Sequence, residues 1–409
     1  MKKPNIETKN MKKITYILLI TVLGFSCSKD NEILVSDKSS DGDYLGLMSE
    51  ASGGSGSSSN GGDNGDEIQI EPGQITAGEW KDLENWDFWN NLDNEEAFEN
   101  MDAYWEYDLS ERISVKVKNL TGDMLQNEKI EIIDTENNVI WQAITDNAGM
   151  TELWPGLSKN YQNNESLRIR LDGKISNSVL RYEDGINELV LDKQVESNIT
   201  KNIDIAFMVD ATGSMGDELE YLKVELIDVI HKVEQNNQGV NVNLGAVFYR
   251  DEGDEYVTRK SDFKSDYSVI TNFIAKQRAD GGGDFPEAVH SGLRISINDL
   301  QWSSSSYSRI LFMVLDAPPH YDAQIIDEIQ LQVKKAAAAG IKLIPITASG
   351  IDKETEFLMR YIAMATNGSY VFVTNHSGIG GDHIEPSIGQ YEVEYLNELM
   401  VRVIGENLE

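Results

Sequence analysis

Three short acidic stretches in the second half of the chain carry the residue types that hold a hard metal ion. Asp210-Ala211-Thr212-Gly213-Ser214-Met215 places one carboxylate and two hydroxyls within a few residues, giving hard oxygen donors with little total charge. Asp316 closes the apolar run Ile310 to Leu315. Gly281-Gly282-Gly283-Asp284-Phe285-Pro286-Glu287 is a third loop, whose glycines permit close backbone approach to an ion. Oxygen donors of this kind suit Mg²⁺, Ca²⁺ or Mn²⁺. No catalytic apparatus accompanies them. Ser214 has Thr212, not glycine, two residues before it and so misses the Gly-x-Ser-x-Gly elbow; no His has an evident partnering role, and no phosphate-cradling Lys motif occurs. A binding protein, not an enzyme, is expected.

The elements that must position these loops are legible as alternating strands and helices. Ile203 to Val209, Val242 to Phe248, Ile310 to Leu315, Leu343 to Ile346 and Tyr370 to Val373 are apolar runs of strand length, rich in β-branched residues. Between the first two, Leu219, Leu222, Leu226, Ile230 and Val233 recur at helical spacing. The pattern predicts a doubly wound α/β fold, a parallel sheet with helices on both faces and a ligand site at the carboxyl ends of its strands. Asp210 directly follows the first strand, and Asp316 would reach the same edge from its neighbour.

These loops, in this order, resemble the von Willebrand factor A domain, whose Asp-x-Ser/Thr-x-Ser motif matches Asp210, Thr212 and Ser214. The Asp284-Phe285-Pro286-Glu287 and Asp316-Ala317 elements resemble the metal loops of the A-like domain found in integrin β subunits. The resemblance covers residues 200–409 and implies a Rossmann-like fold with Mg²⁺ as the ion, Ca²⁺ and Mn²⁺ using the same donors. It implies direct coordination by Thr212, Ser214 and Glu287, with Asp210 and Asp316 acting directly or through water. Most family members have Thr in the middle loop; Glu287 here adds negative charge, which raises cation affinity and weakens the ion's pull on a ligand carboxylate. Asp217 and Glu218 occupy the place of one flanking metal site, and Asp251 with Asp284 and Glu287 that of another. Ordinary first-turn helix acids are the plainer account of Asp217 and Glu218. His320 is expected to pack, and His383 to sit in a turn. A C-terminal helix is expected over about Tyr391 to Ile404.

Overall composition narrows the partners. With 35 Lys plus Arg against 69 Asp plus Glu, the formal charge of −34 repels nucleic-acid phosphates and anionic bilayers alike. Cys27 alone can form no intrachain disulfide and no Cys-based zinc site. Lys12-Lys13, the apolar run Ile14 to Phe25 and Ser26-Cys27 resemble a bacterial lipoprotein signal peptide over residues 1–26, too short to span a bilayer and implying acylation of Cys27. Translation from Met1 or from Met11 is compatible with this pattern. Ser28-Lys29-Asp30-Asn31-Glu32 resembles the acidic tag of lipoproteins exposed on the outer membrane surface.

Residues 27–73 are rich in Gly, Ser and Asp and read as a disordered tether reaching roughly 35–40 Å. Residues 74–110 are Trp-rich, and six of the seven tryptophans lie between Trp80 and Trp154. Docking onto the next domain explains them better than a sugar-stacking platform. Residues 111–195 alternate in strand fashion and predict a small antiparallel all-β sandwich; Thr145-Asp146-Asn147-Ala148-Gly149 followed by Leu153 resembles the carboxypeptidase regulatory-like domain. The expected function is a cell-surface lipoprotein that binds a protein or matrix ligand, presenting an acidic side chain, in a cation-dependent way. The alternative is a structural or assembly subunit of an envelope complex, docked to a fixed partner.

Overall fold

The computed structural model describes residues 70–408, except 93–94, 110, 160, 162–165, 177–178, 183–184, 196–200, 217, 237–238 and 382. Cys27, the signal-peptide segment and nearly all of the tether lie outside the described residues. Among the described residues no helix is long and apolar enough to cross a membrane.

The Trp-rich stretch forms β1 (Thr76–Trp80), α1 (Trp86–Trp89) and α2 (Met101–Tyr104). The next part forms β2 (Ile113–Asn119), β3 (Lys129–Ile133), β4 (Val139–Ile144), β5 (Met150–Leu153), β6 (Arg168–Leu171), β7 (Lys174–Ile175) and β8 (Ile186–Leu191). There follow β9 (Asn202–Asp210), α3 (Leu219–Asn236), β10 (Asn241–Tyr249), β11 (Thr258–Lys264), α4 (Tyr267–Ala275) and α5 (Val289–Asn298). The chain ends with β12 (Ser308–Leu315), α6 (Ala323–Ala339), β13 (Ile341–Thr347), α7 (Lys353–Ala365), β14 (Tyr370–Val373), β15 (Glu394–Tyr395) and α8 (Leu396–Glu406).

The large sheet has the order β11-β10-β9-β12-β13-β14-β1-β15, and its strands from β10 to β14 are parallel. β9 and β12 are buried almost end to end because both faces are covered. On one side α3, α4 and α8 contribute Leu222, Ile270 and Leu399; on the other α5, α6 and α7 contribute Leu293, Ile329 and Leu358. Asp322 and Asp352 cap α6 and α7 by accepting from Gln324 N and Thr355 N. Gly340 ends α6 with φ +68°.

Four features depart from the sequence expectation. The segment expected to dock by its aromatics begins with β1, an antiparallel strand of the large sheet itself, with Ala77 opposite Val373 and Trp80 opposite Tyr370. β11, polar in sequence, pairs antiparallel at the opposite edge, where one unpaired side faces solvent. The small domain is two sheets, β5-β2-β8 and β4-β3-β6-β7, and β2 runs parallel to β8, so it is not wholly antiparallel. The C-terminal helix begins at Leu396, after β15, rather than near Tyr391.

The aromatics around α1 and α2 pack on α7 and its surroundings. Trp89 lies 5.1 Å from Phe357 between ring centroids, Trp86 5.7 Å from Trp154, and Trp105 5.8 Å from Tyr321. The small domain joins the same core through β4 against α6, where Lys334 Nζ donates to Ile140 O at 2.9 Å and Gln142 Nε2 to Ala338 O at 3.1 Å.

Candidate metal site at the carboxyl edge of the sheet

Parallel registry brings the acidic loops together. Asp210 stands opposite Tyr249 on β10, while Val209 stands opposite Val314 on β12, so Asp210 and Asp316 leave the sheet at one edge. Asp210 is completely buried. Its Oδ1 accepts from Thr212 N at 2.8 Å and from Thr212 Oγ1 at 2.6 Å, which folds the loop back on itself. Thr212 Oγ1 and Ser214 Oγ are then 3.1 Å apart, with Thr212 buried and Ser214 exposed. Two hydroxyls thus stand side by side over a buried carboxylate.

The glycine loop closes over them. Gly213 N donates to Gly281 O at 3.1 Å. Gly282 has φ +70°, and a Cβ there would stand 2.9 Å from Glu287 Oε1 and 3.4 Å from Thr212 Cβ. Only glycine leaves room for Glu287 to approach Thr212. Glu287 N donates to Pro318 O at 2.9 Å, and Glu287 bridges Pro319 in parallel fashion, which ties this loop to the one that carries Asp316.

The resulting cluster is electrostatically uncomfortable without a cation. Burial, then the neighbouring Asp316, pushes the Asp210 carboxyl up to about 7. Burial, then Asp210, Asp251, Asp316 and Asp254, pushes Glu287 up to about 8. The Tyr249 phenol is driven well above its ordinary value by burial and by Asp210, so it stays neutral. It lies beside Asp210 and favours the ionised carboxylate, yet outside good hydrogen-bond geometry. Asp210 Oδ2 and Glu287 Oε2 are buried with no hydrogen-bond partner among the described residues. Among those residues no Lys or Arg pairs with either carboxylate: Arg250, the nearby cation, gives its Nε to Ala211 O at 3.1 Å.

These observations fit a hard divalent ion. The donors are all oxygen, two buried carboxylate oxygens await a positive partner, and the glycine loop leaves space that a side chain would fill. Among the described residues no three Asp, Glu, His or Cys side chains close at metal-ligand distance, so the hydroxyls of Thr212 and Ser214 would have to complete any coordination shell.

The flanking residues are placed differently from expectation. Asp217 lies outside the described residues. Glu218 is buried and turned to other loops: its Oε1 accepts from Ser349 N at 3.2 Å and lies 3.8 Å from His383 Nε2. Gly380, at φ +80°, packs so closely on that carboxylate that a Cβ there would displace it. Asp284 is exposed, and the acids that raise Glu287 most are Asp210, Asp251, Asp316 and Asp254. Asp254 takes its place, accepting from Gly282 N at 2.9 Å and from Asp251 N at 3.1 Å. Its sequence signal was the turn Asp251-Glu252-Gly253-Asp254, in which Gly253 has φ +98°. His320 does not simply pack; its Nε2 meets Asp251 Oδ1 at 2.7 Å.

A family model agrees with this architecture. Residues 204–378 match the family model described as von Willebrand factor A domain, and such a domain is found there. An ariadne-like RING finger protein of Acanthamoeba polyphaga mimivirus is 31% identical over 131 residues, 32% of this chain and 12% of the relative. An alpha-protein kinase of Dictyostelium discoideum is 30% identical over 120 residues, 29% of this chain and 19% of the relative. The chain therefore matches less than a fifth of the length of either relative. The crystal structure of conserved hypothetical protein BatB from Bacteroides thetaiotaomicron aligns with 51% of this chain and 98% of its own, at a TM-score of 0.35 and 13% identity. Domains of this family generally mediate protein–protein interaction or adhesion.

Proposed function

We propose that the chain is a cell-surface lipoprotein of the outer membrane whose A domain binds a protein or matrix ligand through a divalent cation. One observation carries the reading: Asp210 Oδ2 and Glu287 Oε2 are buried without hydrogen-bond partners among the described residues, beside two neighbouring hydroxyls. Thr212, Ser214 and Glu287 would hold the ion, with Asp210 and Asp316 behind them. Mg²⁺ suits this donor set, and Ca²⁺ and Mn²⁺ share its oxygen chemistry. When bound, the ion supplies an electrophilic coordination position that a partner's Asp or Glu carboxylate can fill.

The chain's own residues do the positioning. Asp210 holds Thr212 through two hydrogen bonds, Gly282 admits Glu287, and Pro318 O fixes the backbone of Glu287. Binding rather than catalysis is the proposed role. Lipid on Cys27 and the Gly/Ser-rich tether would hold the A domain off the membrane.

The test is calorimetric titration of Mg²⁺, Ca²⁺ and Mn²⁺ into the full chain, beside an Asp210→Ala, Ser214→Ala double variant. Saturable uptake lost in the variant supports the site. A well-folded wild type that takes up none of the three ions overturns it and favours a subunit docked to a fixed partner.

A further inference from the structure

One sheet of the small domain ends on β8, which pairs with β2 in unbroken parallel register from Ser114 opposite Ile186 to Asn119 opposite Leu191. Only alternate residues of a strand bond to a given neighbour, so the other N–H and C=O groups of β8 point away from β2. Among the described residues, the backbone bonds of β8 outside that ladder come down to one, Lys193 N to Leu191 O at 2.9 Å. An edge with unpaired backbone groups is a template for another strand.

The other sheet edges are blunted or covered. β11 carries a register shift together with Arg259, Lys260 and Lys264, and β7 and β15 are too short to pair far. β4 lies against α6, and β5 adjoins β4 and α7. β8, Ile-Asn-Glu-Leu-Val-Leu, has no proline, no basic residue and no bulge. Its outward side chains are also open: Ile186 is 43% exposed, Val190 53% and the Glu188 side chain 55%. Leu189 and Leu191, on its other face, belong to the core.

These side chains decide what can lie beside β8. A strand added at the usual spacing would set alternate residues next to Ile186, Glu188 and Val190, and the rest next to Leu189 and Leu191. Glu188 accepts from Lys118 Nζ at 2.7 Å through Oε2, and its exposure leaves room for a second cation. A second copy of the chain fits poorly. Antiparallel registers that keep the core face continuous set Glu188 opposite Ile186, Glu188, Val190 or Asp192 of the other copy, never a cation, and bring up another formal charge of −34. We propose that β8 docks an extended segment of a partner protein as an added strand, one presenting an apolar, a basic and an apolar side chain at alternate positions. Apolar, acidic, apolar reads the same in both directions, so the side chains accept either strand direction. None of these residues belongs to the three acidic loops, and the docking is independent of the metal reading.

The test is fluorescence polarisation of a labelled peptide, Thr-Val-Thr-Lys-Thr-Val-Thr, titrated with the full chain in EDTA. Saturable binding, roughly tenfold tighter than for the peptide with Glu in place of Lys, is the expected result, with slowed hydrogen exchange of the Ile186–Leu191 amides. Of two peptides N-methylated on the two alternate sets of residues, one should bind and the other fail, because a strand pairs through one set only. Glu188→Lys, at an exposed position, should narrow the preference for Lys over Glu to about twofold. Absence of saturable binding by the folded wild type overturns the proposal. So does equal behaviour of the two methylated peptides, or a preference that Glu188→Lys leaves unchanged. Exchange of the β8 amides that slows with rising protein concentration, in the absence of peptide, would mean that a second copy takes the edge and would overturn the partner reading as well.

Discussion

Arg360 donates two hydrogen bonds to Asp82, Nε to Oδ2 at 3.0 Å and Nη2 to Oδ1 at 2.6 Å, across a sequence separation of 278 residues. Both side chains are essentially inaccessible. Trp80 Nε1 gives Asp82 a further donor at 2.9 Å, and Glu356 accepts from Arg360 Nη1 at 3.2 Å. The group fastens the segment after β1 to α7. Arg360→Met would leave Asp82 buried without its counter-charge, while Glu356 keeps Lys353 Nζ at 2.7 Å, at a cost of roughly 3–5 kcal/mol. Urea unfolding measures this as a lowered midpoint; a loss under about 1 kcal/mol would mean that the pair is structurally dispensable.

Glu225 performs a similar service at the other end of β1. Its carboxylate accepts from the backbone N–H groups of Gly73, Gln74 and Ile75, at 3.0, 2.8 and 3.1 Å to Oε1. Glu225→Ala should cost roughly 2–3 kcal/mol and speed amide exchange along Thr76–Trp80, while Glu225→Gln, which keeps an acceptor, should cost less. A chain lacking residues before 200 would leave the β14 edge uncovered and is expected to aggregate. A soluble, monomeric truncation would show that β1 is only an accessory strand.

The central strands could be read from sequence because burial on both faces demands continuous apolar runs, as in Ile203 to Val209 and Ile310 to Leu315. β1 could not. Thr-Ala-Gly-Glu-Trp has little strand propensity of its own, and what makes it a strand is distant. Glu225 gathers its leading amides, and Gly78 admits the Phe372 and Tyr391 rings to within 2.5 and 2.7 Å of where its Cβ would be. β11, with Arg259, Lys260 and Lys264, reads as a loop because an edge strand needs charge more than apolar surface.

Asp210, Thr212 and Ser214 were legible because they lie within a few residues of one another and directly follow a strong strand. Asp254 was not, since its place under Gly282 depends on how the loop after β10 folds against the glycine loop. The same holds for Asp284, which shares a loop with Glu287 yet faces solvent. Proximity in sequence fixes neither the direction of a side chain nor which acid a neighbouring loop recruits.

Gly282 and Gly283 make a natural pair of controls. Gly282→Ala adds a Cβ 2.9 Å from Glu287 Oε1 at φ +70°, so strain of about 1–2 kcal/mol and displacement of Glu287 are expected together. At Gly283 a Cβ meets nothing within 4 Å and φ is not positive. The rise in melting temperature produced by Mg²⁺ should shrink in Gly282→Ala and persist in Gly283→Ala. Equal responses would mean that Glu287 takes no part in holding the ion.

The raised carboxyls give a pH dependence whose sign follows from linkage. In the folded chain Asp210 sits at about 7 against an ordinary 3.8, and Glu287 at about 8 against 4.5, so the folded state holds these protons more tightly than the unfolded state. Their contribution to stability is fully present below about pH 4 and is lost as pH rises through 7 and 8. In EDTA the A domain should therefore melt at a lower temperature at pH 8 than at pH 6. A divalent cation replaces the missing protons, so stabilisation by Mg²⁺ should grow over the same interval. Asp210→Asn mimics the protonated form: it should flatten the EDTA profile and remove most of the Mg²⁺ response. An EDTA profile that is already flat in the wild type would mean that the cluster is balanced without an ion, and the case for a cation at this edge would fall with it.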